Sequence, residues 1–142
     1  MSNVASDKHE TSVMIDCSDG VGGAHTKVLA EHLSDIFQIS YINADGETLN
    51  ENTGAEFVHK VRKFPKNYDL KETKSASLDG DADRVVYFMD HNNEFVCLDG
   101  DRLIVLYVTA VKKLLEGTGI NPGVVTTVYA NSSVVTYIQD TL

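Results

Sequence analysis

Apolar residues in the first third of the chain follow a strand, turn, helix, strand pattern. A short apolar run at 13–15 breaks at a glycine-containing segment, 16–23, beyond which apolar residues recur at helical spacing up to Phe37. A second apolar run follows at 39–42. Since two neighbouring strands joined through a helix run parallel, this order predicts a β-α-β unit. The unit places the chain in the α/β class of folds.

The middle of the chain has closely spaced strand patterns. A short helix is predicted at 55–62, followed by a polar loop at 64–74 that contains a proline and several lysines. Three apolar runs come next, at 76–78, 85–89 and 95–98. The last two runs are separated by Asp-His-Asn-Asn, a polar stretch suited to a hairpin. We therefore predict an α/β fold with a mixed four- to five-stranded sheet and helices packed on it.

The last third of the chain predicts a helix and then an incomplete βα unit. Asp101 is placed to cap a helix that ends near Gly117. A strand is predicted at 124–128, and a further helix begins after the segment 129–133. Because this last unit has no partner strand in the sequence, we expect the chain to be cut from a longer one. The expected organisation is a flexible leader at 1–10, one domain at 11–119 and the truncated beginning of the next domain at 120–142.

The composition excludes some partners. The 142 residues carry a formal net charge of -9, which repels nucleic-acid backbones and anionic membranes. No apolar run approaches the roughly 20 residues of a membrane span, and 1–10 is too polar for a signal peptide. Cys17 and Cys97 are isolated, so we interpret both as reduced packing residues. We expect a cytoplasmic location.

The sharpest chemical feature is an acidic loop at 79–84, Asp-Gly-Asp-Ala-Asp-Arg, between two predicted strands. A tight turn, made possible by the glycine and the small alanine, can bring all three carboxylates inward. At ~4 Å and an effective dielectric near 20, each pair would repel by about 4 kcal/mol, so a cation has to compensate. A hard divalent cation, chiefly Mg²⁺, suits carboxylate ligands and keeps positions open for phosphate oxygens. The predicted metal ligands are Asp79, Asp81 and Asp83.

Other interpretations of the acidic loop stay open. Solvated turn aspartates are the simplest alternative, because Asp and Gly are common in turns. A phosphatase with a nucleophilic aspartate is another, although no catalytic partners can be placed. A calcium-binding EF-hand loop is excluded, because Arg84 occupies the position of its glycine and 85–89 is a strand. Arg84 itself either holds a phosphate bidentately beside the metal or forms a structural ion pair with the aspartates.

Three further polar segments lie at predicted element boundaries. The second acidic turn, 99–101, is more simply a tight turn with a helix N-cap than a ligand site. The glycine turn at 20–23 matches neither a P-loop nor a dinucleotide-binding fingerprint, which favours close backbone packing. The segment 129–133 opens a helix, where its polar groups either bind an anion or cap the helix.

The stretch 78–84, Leu-Asp-Gly-Asp-Ala-Asp-Arg, resembles the metal-binding loop of the α-D-phosphohexomutase superfamily. Further matches in the family's order span about four fifths of the chain, and they lie at 15–22, 54–58, 84–88, 98–101 and 123–133. The Tyr-Ala-Asn stretch at 129–131 points to the branch that acts on acetylglucosamine phosphates. The resemblance implies the family's second, metal-binding domain at 11–119 and the opening of its third domain at 120–142.

The resemblance also implies roles for individual residues. Asp79, Asp81 and Asp83 would bind Mg²⁺, which contacts a phosphoserine supplied by the preceding domain, and Arg84 would contact that phosphate. Enzymes of this branch interconvert N-acetylglucosamine 6-phosphate and 1-phosphate through a bisphosphate intermediate. This reaction feeds the synthesis of UDP-N-acetylglucosamine, so the expected class is an intramolecular phosphotransferase, an isomerase of carbohydrate metabolism.

The chain also departs from the family pattern. It contains no Ser-His-Asn-Pro phosphoserine loop and no Glu-Ala-Asn-Gly sugar-binding loop, and Ser132 stands where the family has glycine. We therefore expect the sugar phosphate to be shared with missing domains and the chain alone to be inactive. The alternatives are a non-catalytic mutase-like binding or scaffold protein, a phosphohexomutase acting on another sugar, and a free-standing Mg²⁺-dependent phosphatase.

Overall fold

The computed structural model describes residues 12–46, 48–69 and 74–141. The chain packs as two units, divided between Cys97 and Leu98 inside a strand. The flexible leader predicted at 1–10 lies outside the described residues. The domain boundary predicted between 119 and 120 falls within the second unit and stays a prediction.

The first unit is built on a five-stranded mixed sheet with the strand order β2-β1-β3-β4-β5. β1 pairs in parallel with both β2 and β3, and β3 pairs antiparallel with β4. A two-residue turn with positive φ at both asparagines separates β4 from β5. The predicted mixed sheet of the α/β class is confirmed. Its strands are β1 (Ser12–Asp16), β2 (Gln38–Ile42), β3 (Ser75–Leu78), β4 (Val85–His91) and β5 (Glu94–Leu98).

Two helices of the first unit lie against this sheet. Helix α1 (Gly22–His32) connects the parallel strands β1 and β2 and packs beside β2, as the β-α-β prediction requires. Helix α2 (Ala55–Val61) packs on β3 and β4. It starts after Gly54, whose φ of 92° is a conformation that L side chains rarely adopt, and it ends at the left-handed Arg62.

The core of the first unit lies between α2 and one face of the sheet. Side chains of β4 alternate across the sheet, so Phe88 is 1% exposed whereas its neighbour Tyr87 is 41% exposed. Both cysteines are reduced and buried, which confirms their predicted role as packing residues. The buried cluster comprises Met14, Ala55, Val58, Val86, Phe88 and Cys97.

Two aromatic residues correct the prediction of a polar loop at 64–74. Phe64 and Tyr68 stack with ring centroids 4.6 Å apart, and Phe64 also meets Phe95 edge-on at 5.1 Å. They are packed against the buried cluster, so the loop covers part of the core. The lysines dominate the polarity of this segment in the sequence, and the prediction missed the spacing of its aromatic residues. Residues 70–73 lie outside the described part of the loop.

The second unit contains two helices, α3 (Gly100–Leu115) and α4 (Ser132–Thr141), which pack against each other. Val108 and Ile138 are buried in this unit, and the hydroxyls of Thr109 and Tyr137 lie 3.0 Å apart. The N-cap of α3 is Asp99, whose side chain accepts a hydrogen bond from the Arg102 N–H at 3.1 Å. The predicted turn and N-cap at 99–101 is confirmed, but the choice of Asp101 as the cap was wrong.

The strand predicted at 124–128 does not form. The segment has no regular secondary structure, and Val125 and Val128 are 97% and 94% exposed. A strand requires a neighbour for its backbone N–H and C=O groups, and no described strand pairs with this segment. The incomplete C-terminal βα unit is therefore present only as its helix, α4.

Among the described helices, none combines the length and the apolar character needed to cross a bilayer.

Candidate metal centre

The acidic loop connects β3 to β4 at the carboxyl end of β3. The antiparallel pair Leu78 and Val85 closes its base, where the Asp79 N–H donates to the Arg84 carbonyl oxygen at 3.3 Å. Inside the loop, the Ala82 N–H donates to the Asp79 carbonyl oxygen at 3.1 Å, and Ala82 has a left-handed φ of 59°. This tight backbone path turns side chains from alternate positions towards one another.

The structure brings the three predicted metal ligands together. One carboxylate oxygen from each of Asp79, Asp81 and Asp83 lies within 4.8 Å of the others. Asp79 is 3% exposed, whereas Asp81 and Asp83 are exposed. In the part of the chain that the structure describes, this is the one group of three or more acidic, histidine or cysteine side chains close enough to hold a metal ion.

Arg84 is bonded mainly to the buried carboxylate. Its backbone N–H and its Nε donate to the two oxygens of Asp79 at 3.1 and 2.6 Å, while Nε lies 3.6 Å from Asp83. The side chain of Arg84 is 63% exposed, and its terminal guanidinium nitrogens make no hydrogen bond to the described residues. The structural ion pair is thus present, and two nitrogens remain available to a ligand.

The charges in the loop are unevenly balanced. Burial favours the neutral form of Asp79, but hydrogen bonds from Arg84 outweigh this effect and hold its pKa below the usual value. The pKa of Asp83 is raised, first by its hydrogen bond with Asp79 and then by the negative charges of Asp81 and Asp79. Negative charge is therefore compensated at Asp79 and concentrated at the two exposed aspartates.

The glycine turn packs directly against the acidic loop. A Cβ added to Gly20 would lie 2.3 Å from the carbonyl oxygen of Gly80, and one added to Gly22 would lie 2.7 Å from a methyl carbon of Leu78. The Val21 N–H donates to that same Gly80 carbonyl at 3.0 Å. Close backbone packing, which the sequence favoured over a phosphate cradle, is confirmed for this turn.

An open cleft of about 340 Å³ lies over the acidic loop. The loop forms its floor, and side chains from the segment before α2 and from the first turn of α2 form its wall. Only its acidic-loop residues were predicted as site residues. The lining residues are Leu49, Asn50, Glu56, Asp79, Gly80, Asp81 and Arg84.

Asp16, at the end of β1, is a buried carboxylate that the sequence reasoning did not assign to the site. It is fully buried and accepts hydrogen bonds on both oxygens. The side-chain donors include Asn43 Nδ2 at 2.7 Å, Ser77 Oγ at 2.6 Å and the hydroxyl of Thr53. The backbone N–H groups of Gly54 and Ser18 donate at 2.9 and 3.3 Å. The signal in the sequence was an aspartate that ends an apolar strand.

The hydrogen bonds of Asp16 link the elements around the acidic loop. Ser77 lies on β3, two residues before Asp79, and Gly54 opens α2. Asn43 follows β2 and also bonds the Thr53 hydroxyl at 2.9 Å. The carboxylate of Asp16 therefore connects the ends of β1 and β3, the loop after β2 and the start of α2.

The polar residues at 129–133 belong to the second unit. The side-chain oxygen of Asn131 accepts hydrogen bonds from the N–H and the hydroxyl of Ser133, at 3.0 and 2.7 Å. These bonds satisfy donors at the start of α4, which supports the capping interpretation of this segment.

No protein-family model matches the chain, but it is similar to several curated proteins. Phosphoacetylglucosamine mutase 2 of Schizosaccharomyces pombe is 37% identical over 142 residues, which cover 95% of this chain and 26% of that protein. Human phosphoacetylglucosamine mutase is 34% identical over 137 residues, which cover 92% of this chain and 25% of that protein. The chain spans about a quarter of the length of these relatives.

Solved structures agree with the sequence comparison. A crystal structure of apo N-acetylglucosamine-phosphate mutase, a member of the α-D-phosphohexomutase superfamily, superposes with a TM-score of 0.80 at 34% identity, covering 92% of this chain and 31% of that one. The Aspergillus fumigatus N-acetylphosphoglucosamine mutase, in complex with GlcNAc-6P and magnesium, superposes with a TM-score of 0.76 at 34% identity, covering 91% and 28%.

The fold and the sequence likeness together make this chain a homologue of one part of the α-D-phosphohexomutases, which confirms the resemblance seen in the sequence. Within that superfamily, the proteins it matches at 34–37% identity are phosphoacetylglucosamine mutases.

Proposed function

We propose that the acidic loop binds Mg²⁺ through Asp79, Asp81 and Asp83, and that Arg84 contacts a phosphate beside the metal. The observation that carries this proposal is the convergence of three carboxylate oxygens within 4.8 Å, with negative charge left over after Arg84 has paired with Asp79. A divalent cation removes the mutual repulsion of these groups. Solvated turn aspartates would bind Mg²⁺ no better than isolated surface carboxylates, which is the difference that the titration below measures.

The residues present fit Mg²⁺. The site offers oxygen ligands only, and Mg²⁺ prefers an octahedron of oxygens in which several positions are kept by water. Asp81 and Asp83 are exposed, so an ion can reach their carboxylates from solvent. When bound, Mg²⁺ would neutralise oxygen charge during phosphoryl transfer. The terminal nitrogens of Arg84 would hold the phosphate, because a guanidinium matches phosphate oxygens geometrically.

We further propose that the chain is the metal-binding portion of a phosphoacetylglucosamine mutase. The whole enzyme would interconvert N-acetylglucosamine 6-phosphate and 1-phosphate through a phosphoserine and so feed UDP-N-acetylglucosamine synthesis. The magnesium and GlcNAc-6P bound to the Aspergillus fumigatus enzyme support this proposal. The phosphoserine and most sugar contacts would come from the remaining three quarters of such an enzyme. The two reduced, buried thiols support a cytoplasmic location.

Removing one carboxylate from the acidic loop tests the metal site. We expect calorimetric titration of Mg²⁺ into the chain to give weak binding, on the order of millimolar, because only three protein ligands replace water. Asp81→Asn should weaken that binding by at least about tenfold. Asp35→Asn is the matched control, since it removes the same charge from an exposed position outside the cleft. Equal affinities in all three proteins would contradict the proposed site.

The mutase proposal is tested by catalytic turnover. We expect the pure chain to leave N-acetylglucosamine 6-phosphate unchanged, because it lacks the phosphoserine loop. A chimera in which this chain replaces the matching quarter of the Schizosaccharomyces pombe relative should form the 1-phosphate, and Asp81→Asn in the chimera should abolish that activity. A folded chimera without activity would argue for a binding or scaffold protein. Turnover by the chain alone would overturn the incomplete-enzyme interpretation.

A further inference from the structure

The side chain of Asn50, an exposed residue, lies between two glycines. A Cβ added to Gly80, in the middle of the acidic loop, would lie 3.0 Å from Asn50 Nδ2, and one added to Gly54 would lie 2.9 Å from Asn50 Oδ1. The carboxamide therefore spans from the start of α2 to the acidic loop. Its amino group faces the backbone between Asp79 and Asp81.

The backbone of Asn50 is fixed in place. Its N–H donates to the carbonyl oxygen of Ser18 at 3.0 Å, and its φ of 61° lies in the left-handed region. Asparagine enters this region more readily than most L residues. The backbone thus places the side chain of Asn50 at the edge of the cleft, which it lines.

The carboxamide of Asn50 forms no hydrogen bond to a described residue, unlike the carboxamides of Asn43 and Asn67. Asn43 donates to Asp16, and Asn67 donates to the Asn43 side-chain oxygen at 2.8 Å, so both serve the packing around Asp16. Asn50 instead lines the cleft together with Asp81 and Arg84. A donor held beside the acidic loop without a protein partner is available to a ligand.

We propose that Asn50 is a further ligand-binding residue of this cleft and that its Nδ2 donates a hydrogen bond to an oxygen of the phosphate received beside the acidic loop. This inference rests on the proposed function. The Nε and the backbone N–H of Arg84 are already bonded to Asp79, so Arg84 offers the phosphate only its two terminal nitrogens, and Asn50 adds a donor from the wall of the cleft. A carboxamide supplies one without adding charge to a site rich in carboxylates.

The phosphate can belong to a phosphoserine or to a sugar, and two probes separate these sources. O-phosphoserine and N-acetylglucosamine 6-phosphate are titrated separately, at saturating Mg²⁺, into the ¹⁵N-labelled chain and followed by NMR. The Asn50 side-chain amide resonances should move with the probe that supplies the natural phosphate. We expect O-phosphoserine to cause the larger change, because this chain lacks the sugar-binding loop.

Asn50→Gly removes the carboxamide and still tolerates a positive φ. We expect it to bind Mg²⁺ like the unaltered chain and the phosphate probe at least about tenfold more weakly. Asn93→Gly is the matched control, since Asn93 has a φ of 63° in the turn between β4 and β5, and it should change neither affinity. Asn50→Asp keeps the shape but replaces the donor with a carboxylate, so it should weaken phosphate binding further while Mg²⁺ binding is retained.

Each outcome separates this inference from the proposed function. If the unaltered chain binds neither Mg²⁺ nor the phosphate probes, both the proposed function and the role of Asn50 are overturned. Normal binding of both ligands by the unaltered chain and by Asn50→Gly would overturn the role of Asn50 alone. Equal weakening in Asn50→Gly and Asn93→Gly would also overturn it, because the effect would then follow from asparagine removal in general.

Discussion

Replacing Asp16 with asparagine should lower the free energy of unfolding by about 2 kcal/mol, although the two side chains have the same shape. Each oxygen of Asp16 faces a fixed N–H donor, from Asn43 on one side and from Gly54 on the other. An asparagine amide offers an acceptor in one of these directions only. Whichever way it turns, its NH₂ group meets a donor and leaves a buried N–H group without a partner.

Asp16→Ala should be more damaging, at about 4 kcal/mol or more, because it removes the acceptor for all these donors and leaves a cavity. Such a loss is comparable to the whole stability of many domains. Urea denaturation followed by circular dichroism measures both variants. The control is Asp35→Asn, the same chemical change at an exposed position, for which we expect a change within about 0.5 kcal/mol. Similar midpoints for Asp16→Asn and Asp35→Asn would refute the structural importance of this carboxylate.

Adding one methyl group at Gly20 should destabilise the first unit by about 3 kcal/mol and weaken Mg²⁺ binding. The new Cβ would lie 2.3 Å from the Gly80 carbonyl oxygen and 2.8 Å from its Cα. Both are backbone atoms, so relief requires the acidic loop itself to move. Because Gly80 separates Asp79 from Asp81, that movement also separates the proposed ligands.

Gly100→Ala is the matched control for this change. Gly100 is the first residue of α3, and a Cβ there meets no atom within 4 Å. Since alanine restricts the unfolded chain and favours helix, we expect Gly100→Ala to be neutral or to stabilise by about 0.4–1 kcal/mol. Calorimetric titration and thermal unfolding of the two variants measure both effects. Unchanged Mg²⁺ affinity in folded Gly20→Ala would show that the glycine contact does not position the acidic loop.

The acidic loop could be predicted because everything that shapes it is local. Its carboxylates, its glycine and its arginine lie within six consecutive residues, and the flanking strands have clear patterns. The glycine turn was also interpreted correctly as a packing element. Its partner, however, could not be named, because Gly20 and Gly80 are distant in sequence and meet only in the folded sheet.

Asp16 and Asn50 show what local patterns leave out. Asp16 bonds side chains 27, 37 and 61 residues away, and only the sheet order brings those groups to one carboxylate. Asn50 lies in a segment without helix or strand periodicity, so its position depends on the contacts with Ser18, Gly54 and Gly80. The strand predicted at 124–128 failed for the opposite reason, since its apolar pattern was present but no strand among the described residues pairs with it.

The pairing of β1 with β3 also bears on the order of folding. Asp16 and Ser77 are register partners in this parallel pair, yet they are 61 residues apart in the chain. The turns from β3 to β4 and from β4 to β5 close over only a few residues, whereas the β1–β3 contact must first close a long loop. We therefore expect the acidic loop to form early, within a local hairpin. It should acquire its final shape only when β1 pairs with β3, because that pairing brings Asp16 and the following glycine turn, with Gly20, against the loop.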